Sequence, residues 1–81
     1  MNRLQLVKYI LNHSDELLSW YCYNDGTRNP NNKNGFNIPE PENLTYEDVT
    51  VHGTGFWGDV VDLLIEDALD RGIIDEEMLE S

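Results

Sequence analysis

Two stretches of apolar residues at helical spacing flank about twenty residues unsuited to regular structure, and this arrangement leaves few folds open. Residues 24–43 hold all three prolines of the chain and seven asparagines, with Gly26 and Gly35 among them. Proline lacks an amide donor and fixes φ, while Asn34-Gly35 favours a turn, so the segment reads as a long polar loop. Before it, Leu4, Val7, Ile10, Leu11, Ser14, Leu17, Leu18 and Tyr21 recur at steps of three and four, which draws one apolar stripe. Because the stripe keeps its phase through His13-Ser14, the spacing predicts a single helix over 3–22. The rival reading makes Ser14 the N-cap of a second helix, with Asp15 and Glu16 favourable in its first turn.

After the loop, Trp57, Val60, Val61, Leu64, Ile65 and Ala68 share one side of a helix predicted over 55–71. Thr54 is its expected N-cap, Asp59 lies near its early free amides, Arg71 suits its C-terminal dipole and Gly72 suits its C′ position. Ile73 and Ile74 then turn back to the core, and Asp75 caps a short terminal helix through Leu79. The expected fold is mainly α: two principal helices packed together, a short C-terminal helix and a long Asn/Pro-rich connection. The alternative is α+β, with a two-stranded ribbon over 35–38 and 46–51. It rests on Val49 and Val51 alternating with polar neighbours, and on Phe36 and Ile38 clipping the loop to the core.

At 81 residues the chain is long enough for one small domain, 1–81, and a second core is excluded. Sixteen carboxylates against five Lys/Arg give a net charge of −11. Residues 1–39 carry four basic groups and three acids, a sum of +1, whereas residues 40–81 carry thirteen acids and Arg71 alone, a sum of −12. Phosphates repel such a surface, so direct binding to nucleic acid is not expected, nor is docking on an anionic membrane. Cys22 stands alone, which removes any intrachain disulfide or Cys-based zinc site. No secretory h-region opens the sequence, and a cytoplasmic location is the default expectation.

On the late helix, Asp59, Asp62, Glu66 and Asp70 fall within about 80° of arc opposite the apolar side, over roughly 16 Å of axis. Asp67, Asp75, Glu76 and Glu77 extend the acidity. A solvated outer face is the plain reading of such a row. The functional reading is a partner-binding surface whose charge density approaches that of a nucleic-acid strand. Such a mimic would occupy the basic groove of a nucleic-acid-acting protein and block it by competition, with fast, salt-sensitive association. In size, acidity and helical content the chain is similar to several classes of small inhibitor: immunity proteins against nuclease toxins, antitoxins, and phage proteins that block restriction or CRISPR machinery. That resemblance implies an anti-defence or immunity role through protein–protein interaction.

A second candidate surface is aromatic. Tyr9, His13, Glu16, Trp20 and Tyr23 recur at helical steps opposite the Leu4–Tyr21 stripe, as either core or an adaptor surface, with a homodimer among its outcomes. Gly53-Thr54-Gly55-Phe56-Trp57-Gly58 spells G-x-G-x-x-G, with Asp75 about where a ribose-binding acid would stand. The acids on the helix behind it would repel a pyrophosphate, and too little chain follows for a dinucleotide fold. No cofactor is therefore expected. His13 and His52 lack metal-ligand spacing, so a zinc site would depend on tertiary approach. No Ser or Cys sits in a nucleophile motif, and no catalytic residue is assigned.

Overall fold

The computed structural model describes residues 1–22 and 38–80, and the protein is mainly α-helical. Among the described residues five α-helices follow one another: α1 (Arg3–His13), α2 (Asp15–Cys22), α3 (Tyr46–Thr50), α4 (Gly58–Asp70) and α5 (Glu76–Glu80). A 3₁₀ turn, Pro41–Asn43, precedes α3. Most of the long polar loop lies outside the described residues, as does Phe36. Ile38 marks the return: its amide donates to the Tyr21 carbonyl at 2.8 Å and its side chain is buried.

The predicted first helix is two helices. Ser14 adopts an extended conformation (φ −143°, ψ 103°), which ends α1, and its Oγ accepts from the Leu17 amide at 3.2 Å. The hydroxyl thus replaces a partner that the broken helix ladder withholds, and Asp15 and Glu16 occupy the first turn of α2. The apolar stripe survived because both helices line one core, so its phase did not report the break. Asn2 and Gln5 close the start of α1 with a reciprocal capping box (2.8 and 2.9 Å).

The alternative ribbon is not supported: of its first strand only Ile38 lies within the described residues, and the second strand is replaced by a helix. Residues 46–50 are helical because Thr45 and Asp48 make a second capping box, Asp48 N–H to Thr45 Oγ1 at 3.3 Å and Thr45 N–H to Asp48 Oδ2 at 3.0 Å. Val49, on α3, is buried and Val51, the extended residue that caps its end, is exposed, so the two do not share one strand face. The glycine string consequently follows a helix, not the strand a dinucleotide fingerprint needs.

Helix α4 also starts later than residue 55, and Thr54 does not cap it. Residues 53–56 form a turn, closed by Phe56 N–H to Gly53 O at 3.1 Å, with Gly55 at φ +89°. The amides of Trp57 and Gly58 donate to the carbonyls of Asp48 (2.9 Å) and Val51 (3.1 Å). A neighbouring helix and its exit thus hold the first amides of α4, which has no side-chain cap. The other end follows expectation. Gly72 (φ +76°) at C′ closes a Schellman motif, Gly72 N–H to Leu69 O at 3.1 Å and Ile73 N–H to Ala68 O at 3.0 Å. Asp75 Oδ1 accepts from the Met78 amide at 3.1 Å and caps α5.

Helix α1 packs against α2, α3, α4 and the 3₁₀ turn. Val7, Ile10 and Leu11 of α1 meet Leu17 of α2, Val49 of α3 and Val61, Leu64 and Ala68 of α4 in one core. Trp57, Val60 and Ile65 are only partly buried at its margin.

The contact of α4 with the exit of α3 makes a sign prediction. Glycine to alanine in a helix usually stabilises by up to about 1 kcal/mol. At Gly58 an added Cβ would lie 2.6 Å from the Val51 carbonyl oxygen and 3.0 Å from His52 Nδ1. Gly58→Ala is therefore expected to destabilise by roughly 1–2 kcal/mol net, read by urea denaturation. A stabilised variant would show that the α3–α4 junction yields easily.

Candidate functional site

The acids of α4 divide into two sets, and two arginines make the division. Arg3, at the start of α1, reaches three groups on two other helices. Its Nε donates to the Val49 carbonyl, and its Nη2 donates to the Gly58 carbonyl at 2.9 Å and to Asp62 Oδ1 at 2.6 Å. The His52 ring approaches the other oxygen of Asp62 at 3.0 Å and Asp59 Oδ1 at 3.9 Å. Hydrogen bonds from Arg3, and next from His52, hold the Asp62 carboxyl below the usual carboxylate range.

Arg71 fastens the far end. It pairs with Glu16 of α2 at 3.1 Å and with Asp67 at 3.6 Å, and its guanidinium lies 4.6 Å from the centre of the Trp20 ring. Asp67 also accepts from the Tyr21 hydroxyl at 2.8 Å. Asp62 and Asp67 therefore fasten α4 to the remainder of the fold, and their charge is partly answered there.

Asp59, Glu66 and Asp70 face outward, and among the described residues no Lys or Arg pairs with them. Glu66, Asp70, Asp75 and Glu76 line a shallow depression of about 510 Å³ between α4 and α5, floored by Leu69 and Ile74. Glu77 is exposed beside it. Leu63 lies in this outward row, one turn beyond Asp59 and just before Glu66, and is 48% exposed. An exposed leucine framed by carboxylates gives the row an apolar anchor that charge counting had not marked.

The aromatic set is not one face, because the helix carrying it breaks at Ser14. Tyr9 stacks on His13 with ring centroids 3.9 Å apart, and His13 Nδ1 donates to the Tyr9 carbonyl at 2.8 Å. Glu16 and Trp20 belong instead to the Arg71 cluster, and Tyr9 and Trp20 both pack partly against the core. Tyr23 lies outside the described residues.

The Tyr21–Asp67 bond makes a prediction at high pH. Burial first, and then the Asp67 acceptor, push the Tyr21 phenol well above its ordinary value of about 10. The folded-state value is raised, so this contribution to stability is complete below about pH 10 and is lost as pH rises beyond it. Absorbance titration at alkaline pH should show Tyr21 ionising after the other tyrosines and together with unfolding. Tyr21→Phe should remove that late step. A phenolate step of Tyr21 at ordinary pH in the folded protein would contradict the bond.

Among the described residues no helix is long and apolar enough to cross a membrane. No protein-family model matches the sequence, and comparison with curated proteins and with solved structures gives no match.

Proposed function

We propose that this protein is a small acidic inhibitor that binds the basic, nucleic-acid-binding surface of a partner protein and blocks it by competition. The observation that carries this reading is the outward row of α4: Asp59, Glu66 and Asp70, with no Lys or Arg partner among the described residues, and the exposed Leu63 between them, continuing into Asp75, Glu76 and Glu77. The row spans roughly 16 Å on a rigid helix, so its charges meet a partner already ordered and lose little entropy on docking. Arg and Lys side chains that ordinarily hold phosphates would pair with these carboxylates, the arginines with two parallel hydrogen bonds. Leu63 would supply the desolvated centre that a purely charged contact lacks. The protein then acts by occupancy, without catalysing a reaction. A nuclease, a toxin or a restriction or CRISPR-type effector is the fitting class of partner.

The adaptor alternative draws on Tyr9 and Trp20, which the fold already uses beside His13 and Arg71. The test is capture of partners from a lysate of the source cells, eluted across a salt gradient, followed by assay of the partner. The expected result is a basic nucleic-acid-acting protein released at moderate salt. Its activity should fall when this chain is added and recover when excess nucleic acid competes. A neutral partner that stays bound at high salt would overturn the reading in favour of the adaptor.

A further inference from the structure

The His52 corner is chemically unlike the rest of the acidic surface, because there the fold adds an imidazole nitrogen to two carboxylates. Asp59 and Asp62 are three residues apart and so lie on one side of the first turns of α4. His52 reaches them from the segment leaving α3, which is tied back by the Gly58 N–H to Val51 O and Trp57 N–H to Asp48 O bonds. Gly58 leaves space for the ring: a Cβ there would lie 3.0 Å from His52 Nδ1. The ligand atoms of His52, Asp59 and Asp62 all fall within 4.8 Å of one another.

We propose that His52 Nε2, Asp59 Oδ1 and Asp62 Oδ2 form a binding site for a divalent transition-metal ion of the zinc class, with water completing its coordination. The distances fit such an ion. Zinc bonds of about 2.0–2.1 Å set tetrahedral ligand–ligand edges near 3.3 Å. The separations from Nε2 are 3.0 Å to Asp62 and 3.9 Å to Asp59. The edge between the two carboxylates falls within 4.8 Å, and Asp59, whose side chain is 80% exposed, is free to swing inward and close the site. Arg3 takes Asp62 Oδ1 at 2.6 Å and leaves Oδ2 toward the ring, the outer-shell support that orients a ligating carboxylate. The arginine charge also weakens cation binding, so the site is an exchangeable one rather than a closed structural centre. One nitrogen with carboxylate oxygens selects zinc over magnesium, which prefers an all-oxygen set.

Titration of the full chain with zinc chloride, by calorimetry in a non-chelating buffer and by NMR of the histidine rings, tests this. One equivalent of zinc should bind with the shift centred on the His52 ring. His52→Ala and Asp59→Asn should each weaken binding about tenfold or more. Asp59 is exposed enough for that variant to keep its fold, which circular dichroism checks, and His13→Ala should bind as the parent does. The proposal is overturned if His52→Ala binds zinc as tightly as the parent, if the shift centres on His13, or if magnesium displaces the zinc at equal concentration.

Discussion

Arg3→Ala is expected to cost about 2–3 kcal/mol, a lowering of Tm by roughly 10 °C or more in a domain of this size. The single side chain donates to Val49 of α3, Gly58 of α4 and Asp62 one turn further along. Its removal takes the bonds from two backbone carbonyls at the point where three helices meet. The Asp62 pair alone supplies little of this. Its carboxylate is about half exposed, and such pairs contribute about 1 kcal/mol or less. Two companion variants separate the causes. Asp62→Asn should cost well under half as much as Arg3→Ala. Arg3→Lys should recover little, since one ammonium cannot reproduce the planar fork across three acceptors. Full recovery by lysine would show that charge alone matters and that the forked geometry does not.

The place of Arg3 also explains which features the sequence disclosed. Its apolar spacing marked Val7, Ile10, Leu11, Leu17, Val61, Leu64 and Ala68, all of them buried. Gly72 and Asp75 marked the end of α4 and the start of α5, because those positions are governed by local backbone chemistry. Ser14 could be read either way: a one-residue break with its own hydroxyl cap leaves both helices on the same core. Thr45-x-x-Asp48 carried a legible capping signal, which the two-valine alternation behind the ribbon alternative obscured. The start of α4 was not legible, since its amides are satisfied by carbonyls of Asp48 and Val51 rather than by Thr54.

The same reasoning applies to the site. Periodicity placed Asp59, Asp62, Glu66 and Asp70 in one row, and that was legible. The division of the α4 acids into fastened and free was not. It depends on Arg3, 59 residues from Asp62 in sequence, and on Tyr21, 46 residues from Asp67. The meeting of His52 with Asp59 and Asp62 likewise needs the fold of the intervening turn. Leu63 was hidden for a different reason: an apolar residue is assumed to be core until packing shows that it faces out.

That division decides how the proposed inhibition should be probed. Glu66→Lys with Asp70→Lys is expected to weaken binding to the captured partner about 100-fold at low salt, or about 2.7 kcal/mol. Both acids are exposed and make no ion pair with Lys or Arg among the described residues, so the reversal should leave the fold intact. It exchanges one like-charged pair a turn apart for another, so the repulsion within that pair stays about the same. Asp62 would be the wrong choice, since its loss also frees Arg3 and His52. Net charge alone speeds association, so a control with the same change elsewhere is needed. Asp15→Lys with Glu42→Lys, at the start of α2 and in the 3₁₀ turn, alters the total equally at exposed positions. The control should lose only a few-fold, mainly in association rate, whereas the Glu66/Asp70 variant should also dissociate faster. The gap between the two should narrow as salt rises and screening takes over. Equal losses would reduce the acidity to a diffuse field and remove the α4 row from the interface. Leu63→Ala, which leaves charge untouched, should then separate a docked row from a field: a faster dissociation at every salt concentration belongs to the docked row alone.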